Sequence, residues 1–191
     1  MQTIVHTLFL LFLLSASSYA AFIGSLKPDA QVANISLGVG ESSFQTQKEM
    51  LFTSSFGGNY YYNRGFMWGS SVGISYSQNP DSTIEADGVE ELYGQFRFGY
   101  ALNKSSTYGL ALYAIVEFEY LIYSSQMPTY PSGDYEESIN FATATAKGVG
   151  LEYRLKTNWL ITSSYTTAEM QPDYGKKFTY EKLSCTLGYS W

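Results

Sequence analysis

The chain has 191 residues, room for one domain or at most two small ones. Only 15% of its residues are charged while 17% are aromatic, with 18 Tyr, 12 Phe and 17 Gly; this balance excludes an intrinsically disordered chain or a coiled coil and points to strands joined by tight turns. A formal net charge of -6 argues against a nucleic-acid partner, and a single Cys excludes an internal disulfide or a cysteine-rich metal cluster.

Ile4 to Leu14 form an apolar block broken only by His6 and Thr7, and small residues follow it to Ser18-Tyr19-Ala20. This is the pattern of a secretory signal peptide over residues 1–20, too short to span a bilayer, although no Lys or Arg precedes the apolar block. No Cys follows the expected cleavage site, which argues against a lipid-anchored amino terminus. His6 is the only histidine, so its removal leaves a mature chain with no histidine base, no histidine metal ligand and no Ser-His-Asp triad. Cys185 lacks a histidine or cysteine partner and reads as a small apolar filler within a strand. No cofactor or metal is expected.

Residues 21–31 read as a lead-in, and from there to the end apolar and polar residues alternate with period two. Ala33, Ile35, Leu37 and Val39 alternate with Asn34, Ser36, Gly38 and Gly40. Met50, Phe52, Phe56, Tyr60 and Tyr62 oppose Thr53, Ser55, Gly57 and Asn59. A third run sets Phe66, Trp68, Val72, Ile74 and Tyr76 against Gly69, Ser71, Gly73, Ser75 and Ser77. Leu92, Phe96, Phe98, Tyr100 and Leu102 then oppose Glu91, Gln95, Arg97 and Gly99. Tyr108, Leu110, Leu112, Val116, Phe118, Tyr120 and Ile122 oppose Gly109, Ala111, Tyr113, Glu117 and Glu119. Val149, Leu151, Tyr153 and Leu155 oppose Gly148, Gly150, Glu152 and Arg154, and Trp159, Ile161 and Tyr165 oppose Thr162, Ser164 and Thr166. Last, Leu183, Cys185, Leu187, Tyr189 and Trp191 oppose Lys182, Ser184, Thr186, Gly188 and Ser190.

Eight long strands result, with short connections at Asn63–Gly65, Asn103–Ser106 and Lys156–Asn158 and longer ones near Ser43–Glu49, Gln78–Gly88, Ser124–Glu137 and Glu169–Lys177. Short turns at one end and longer loops at the other predict an all-β, up-and-down antiparallel barrel over residues 32–191, with both termini at the short-turn end. Periodicity alone does not separate a soluble calyx, apolar inside, from a membrane barrel, apolar outside. Aromatic placement does. Trp68, Trp159 and Trp191 all fall at the short-turn end, and Tyr60, Tyr62, Phe66, Tyr100, Tyr108, Tyr153 and Tyr189 gather there on the apolar face. A belt of amphipathic rings at one level is what a membrane–water interface selects.

The last strand, Leu183-x-Cys185-x-Leu187-x-Tyr189-x-Trp191, is an alternating run ending in an aromatic. With the eight-strand pattern and the histidine-free mature chain, it resembles the small bacterial outer-membrane β-barrels of the OmpA/OmpX type. The resemblance implies a Gram-negative outer-membrane location, contact with lipid and lipopolysaccharide, and use of this terminal run as a signal read by the barrel-insertion machinery. Two residues break the pattern: Lys147 and Glu181 fall on the nominal lipid face. Charge at mid-bilayer costs about 2–4 kcal/mol for Lys and less for Glu, so both are expected near the loop end, or a bulge near Ala146 shifts the register.

Function is sought inside the barrel and in its loops. An eight-stranded lumen is only wide enough to be filled by side chains. The expected inward charges are Arg97, Arg154 and Lys182 against Glu117, Glu119 and Glu152, balanced three to three. They form either a salt-bridged plug in a non-enzymatic structural or surface protein, or the lining of a narrow porin. Arg64, Lys104 and Lys156 place a basic residue in each short turn. Asp81, Glu85, Asp87, Glu90, Glu91, Asp134, Glu136 and Glu137 crowd two long loops, and Tyr130-Pro131-Ser132-Gly133-Asp134-Tyr135 offers an aromatic loop to an unidentified external ligand.

Overall fold

In the computed structural model, residues 30–44, 47–62, 65–78, 88–102, 108–128, 135–172 and 177–191 are described. They form eight strands: β1 (Ala30–Phe44), β2 (Gln47–Tyr61), β3 (Phe66–Gln78), β4 (Gly88–Ala101), β5 (Gly109–Pro128), β6 (Tyr135–Arg154), β7 (Trp159–Pro172) and β8 (Phe178–Ser190). Each pairs antiparallel with its neighbour in sequence, and β1 pairs with β8 to close the barrel. Closure leaves no strand edge with unsatisfied backbone groups, which a hydrocarbon surrounding would penalise heavily. The ladder is finished by Trp191, whose backbone exchanges hydrogen bonds with Ala33 at 3.0 and 3.1 Å.

The short turns follow from residues that tolerate left-handed backbone. Gly65 has φ of 90° in the β2–β3 turn, and Asn158 has φ of 68° in the β6–β7 turn. The Asn158 carbonyl also accepts hydrogen bonds from the backbone N–H and hydroxyl of Ser190, both 2.8 Å, which ties this turn to the last strand. The opposite end differs from expectation. β1 and β2 stay paired out to Phe44↔Gln47, so two residues connect them instead of a loop over Ser43–Glu49. β5 and β6 stay paired to Pro128↔Tyr135, which turns most of the expected Ser124–Glu137 loop into a protruding hairpin. Weak strand formers such as Ser, Glu and Gln are carried along because an antiparallel ladder propagates through backbone bonds whatever the side chains. At the other terminus, β1 begins two residues before the expected start of the barrel at residue 32.

The large apolar side chains point out. Leu37, Val39, Phe56, Ile74, Phe118, Val149, Leu183 and Leu187 are all more than half exposed. That is the membrane-barrel arrangement and the reverse of a calyx. Inside, two apolar layers sit apart. Near the turns, Tyr61, Met67, Ala101, Ala111, Tyr113 and Ile115 form one cluster. Toward the loops, Val89, Leu121, Tyr123, Ala142, Ala146, Ala168, Met170 and Tyr180 form the other. Two interior rings depend on glycine in the neighbouring strand. Tyr93 lies across Gly73, and Tyr113 across Gly150, and a Cβ at either glycine would come within 2.3 Å of the ring.

The register near Ala146 does not shift, although the β6–β7 pairing is interrupted over residues 144–146. Thr143↔Gln171 and Lys147↔Thr167 keep one register between β6 and β7, and Val116↔Lys147 and Glu117↔Ala146 are consecutive pairs with β5. Lys147 therefore faces outward from the middle of β6 and not from its loop end. Glu181 lies among the first residues of β8, near the loops, where the Tyr165 hydroxyl donates to it at 2.7 Å.

Candidate functional site

Alternation turns every second residue of each strand into the lumen, and the barrel's stagger decides which of these meet. They form a continuous polar network with two centres, one between the two apolar clusters and one beside the turn-side cluster. On the turn side the centre is Glu152, on β6. Its carboxylate accepts from Asn59 Nδ2 at 3.0 Å, from the Tyr61 hydroxyl at 2.9 Å and from Arg154 at 2.9 Å, and Arg97 stands 3.8 Å away. The Arg154 guanidinium also lies over the Tyr61 ring, 4.8 Å from its centroid, and Arg97 lies 5.5 Å from the Tyr113 centroid.

On the loop side the centre is Lys182, on β8. Its ammonium donates to Glu91 on β4 and Glu117 on β5, and lies 2.8 Å from Glu119. Ser75 donates to Glu91 at 2.5 Å, and the Tyr93 ring lies 4.9 Å from the ammonium. Gln95 joins the two centres: its carbonyl accepts from Arg97 Nε at 2.5 Å, while its amide donates to Glu117 at 2.6 Å. Ser71 accepts a further Arg97 bond at 3.0 Å. Glu91, Glu117, Glu119, Glu152, Arg97, Arg154 and Lys182 are all buried.

All six expected lumen charges are thus interior, but their balance differs from three against three. Glu91, grouped by sequence with the loop acids, points inward and pairs with Lys182, and Glu49 is a further buried carboxylate that accepts from Ser77 at 2.5 Å. Among the described residues, five interior carboxylates face three cations. Two guanidiniums surround one carboxylate on the turn side, whereas one ammonium serves three carboxylates on the loop side. Position parity on β4 placed Glu91 inside; its neighbour Glu90 and the acidic run before it were the signals that drew it toward the loops. Asn59, Tyr61, Ser71, Ser75 and Gln95 were missed as network members because neutral residues carry no charge label in a sequence.

Glu91, Glu117 and Glu119 bring carboxylate oxygens within 4.8 Å of one another, a donor set suited to a hard cation, but the cation they already hold is the ammonium of Lys182. A cavity of about 40 Å³ lies beside the network, reached by Tyr93, Gln95, Arg97, Glu117 and Lys182, enough for only a few waters. Neither centre combines an exposed base with a substrate-sized cleft, so acid–base chemistry has no access to a substrate here.

The remaining candidate residues lie on the outer wall. Trp68 stacks on Tyr60 at 4.6 Å between centroids and donates to the Tyr62 hydroxyl at 2.9 Å, and Tyr62 meets Phe66 at 5.7 Å. Trp159 meets Tyr189 edge-on at 5.5 Å, and Trp191 meets Phe56 at 6.3 Å. Tyr100, Tyr108 and Tyr153 are exposed at the same end, with Lys156 over Tyr108 at 5.0 Å. Leu183, Cys185, Leu187, Tyr189 and Trp191 all face outward. The expected signal peptide, Arg64, Lys104, the acids Asp81, Glu85, Asp87 and Asp134, and residues 130–134 lie outside the described residues; of Glu136 and Glu137 only the strand backbone is described.

A closed eight-stranded antiparallel barrel, apolar outside and polar within, defines a membrane-spanning barrel protein. The family model described as "Outer membrane protein beta-barrel domain" matches residues 7–191, and the chain belongs to that family: it is an outer-membrane β-barrel protein. Among solved structures it is similar to the N-terminal β-barrel domain of Pseudomonas aeruginosa OprF, with a TM-score of 0.53 at 14% identity, covering 86% of this chain and 100% of that one. It is also similar to Neisserial surface protein A, with a TM-score of 0.52 at 11% identity, covering 83% and 96%. At these identities the likeness is one of fold. No curated protein sequence matches the chain.

Proposed function

We propose that the protein is a non-conducting outer-membrane scaffold, sealed through its lumen, that acts by displaying its external loops and by contributing to the integrity of the membrane. The observation that carries this reading is the filling of the lumen: Leu121, Tyr123 and Met170 lie on the loop side of the Lys182 centre, and Ile115 and Tyr113 lie between that centre and the Glu152 centre. A hydrated ion path would have to break ion pairs and part both layers, at the cost of leaving buried charges unpaired. In this reading residues 1–20 direct export, the Trp and Tyr belt holds the barrel at the periplasmic interface, and the outward run Leu183 to Trp191 is read by the insertion machinery. Lipid and lipopolysaccharide surround the wall, and the loop ligand is a surface molecule.

The excess of interior carboxylates favours the other reading, a narrow porin, in one respect: an opened lumen would prefer cations. Planar-bilayer recording separates the two. The scaffold stays silent as wild type. Steady wild-type channels whose cation preference falls on Glu117→Gln would establish the porin instead.

A further inference from the structure

The lumen is filled unevenly. Tyr93, Gln95, Arg97, Tyr113 and Glu117 reach inward from β4 and β5, whereas β2, β7 and β8 turn Thr53, Ser55, Thr162, Ser164, Ser184 and Thr186 toward the same cavity of about 40 Å³. Thr53, Ser55, Ser164, Ser184 and Thr186 face inward yet are only partly buried, because a void and not packed atoms lies in front of them. Thr53 meets the Tyr93 hydroxyl at 3.0 Å, and Ser164 meets Ser184 at 2.9 Å. Tyr113 and Thr162, 4% and 6% exposed, also border the cavity, and among the described residues neither hydroxyl has a hydrogen-bond partner. A buried hydroxyl left unpaired keeps its full desolvation penalty.

We propose that this cavity is a closed hydration site that holds about three long-lived waters, paired with the Tyr113 and Thr162 hydroxyls and with the hydroxyl wall of β2, β7 and β8. Water is the occupant that the chemistry selects. An apolar molecule would leave both hydroxyls unpaired, and a void lined by hydroxyls does not stay dry as an apolar one does. A metal ion would find one carboxylate here, Glu117, which already accepts from Lys182 and Gln95. An anion would find Arg97 and Lys182 already beside carboxylates of their own. The waters border both charge centres, since Arg97 belongs to one and Lys182 to the other, and they supply polarisable dipoles beside charges that the side chains alone leave out of balance. The inference rests on the sealed-lumen reading, because only a sealed lumen makes these waters long-lived.

The test is nuclear magnetic resonance on the full-length protein refolded in lipid, with leucine, threonine and valine methyls as probes. Magnetisation transfer from water should reach the Thr162 and Thr186 methyls and those of Leu51, which borders the cavity and carries no hydroxyl. Its sign should be that of waters tumbling with the barrel, and the outward methyls of Leu187 should receive none. Thr162→Val keeps the side-chain volume and removes the hydroxyl, so the methyls it introduces should still receive the signal, which excludes relay through a hydroxyl proton. Heat-modifiable migration shows whether that variant folds, and if it does not, Leu51 in the wild-type chain still decides. Magnesium and bromide salts should leave every signal unchanged. No transfer to Leu51, transfer abolished in folded Thr162→Val, the sign of fast bulk exchange, or a salt-dependent shift would overturn the proposal. Steady currents in planar bilayers would overturn the sealed lumen and this site with it, whereas missing water signals in a silent barrel overturn the site alone.

Discussion

Replacing Lys182 by Met removes, among the described residues, the only cation paired with Glu91, Glu117 and Glu119 while nearly conserving volume and the apolar stem. The wild-type cluster holds one ammonium against three carboxylates; the variant holds the same carboxylates against none, in a position only 7% exposed. Breaking a buried ion pair by deleting one partner costs about 3–5 kcal/mol, because the surviving charge keeps its desolvation penalty and loses its compensation. Against a total stability of about 5–15 kcal/mol, the variant should fold yet lose a large part of its margin. Urea unfolding in lipid vesicles, followed by tryptophan fluorescence and by heat-modifiable migration, measures the loss. It should be largest at neutral pH and shrink in acid, where a protonated carboxyl needs no ammonium beside it. Lys177→Met is the control: its pair with Glu169 is exposed to solvent, so the barrel should lose less than about 1 kcal/mol. A loss below about 1 kcal/mol for Lys182→Met would refute the reasoning, since it would mean that the lumen is wet enough to solvate three carboxylates.

Two further outcomes follow from the same geometry. Gly150→Ala drives a Cβ into the Tyr113 ring and should cost about 1–3 kcal/mol, and pairing it with Tyr113→Ala should remove most of the additional penalty in a double-mutant cycle; strict additivity would contradict the contact. Deleting Trp191 removes the last backbone pair with Ala33 and the ring against Phe56, and should lower the heat-modifiable folded fraction in the outer membrane, a result that normal yield in the deletion strain would contradict.

The alternation of Ile35, Leu37 and Val39 with Asn34 and Ser36, repeated through eight runs, was enough to establish strand number, antiparallel order and the two faces of the wall, because side-chain direction in a strand is a local property of period two. The gathering of Trp68, Trp159 and Trp191 beside short turns likewise told the outside from the inside. The extent of the loops was not legible: the ladder of β5 and β6 runs through Ser124, Ser125 and Gln126 because backbone pairing continues where side-chain preference ends. Nor were the partners in the lumen. Arg97, Glu117, Glu119, Glu152, Arg154 and Lys182 could be assigned inward, but Lys182 meets Glu91 across 91 residues of sequence, and Arg154 meets Tyr61 across 93. Those meetings depend on the stagger of the strands and on β8 closing against β1, quantities that belong to the whole barrel. Ile115 and Leu121, two interior residues of one strand, fall into separate apolar clusters on either side of Glu117 and Glu119. Parity along a strand can say that a side chain enters the lumen; only the assembled wall decides at what height it arrives and what it finds there.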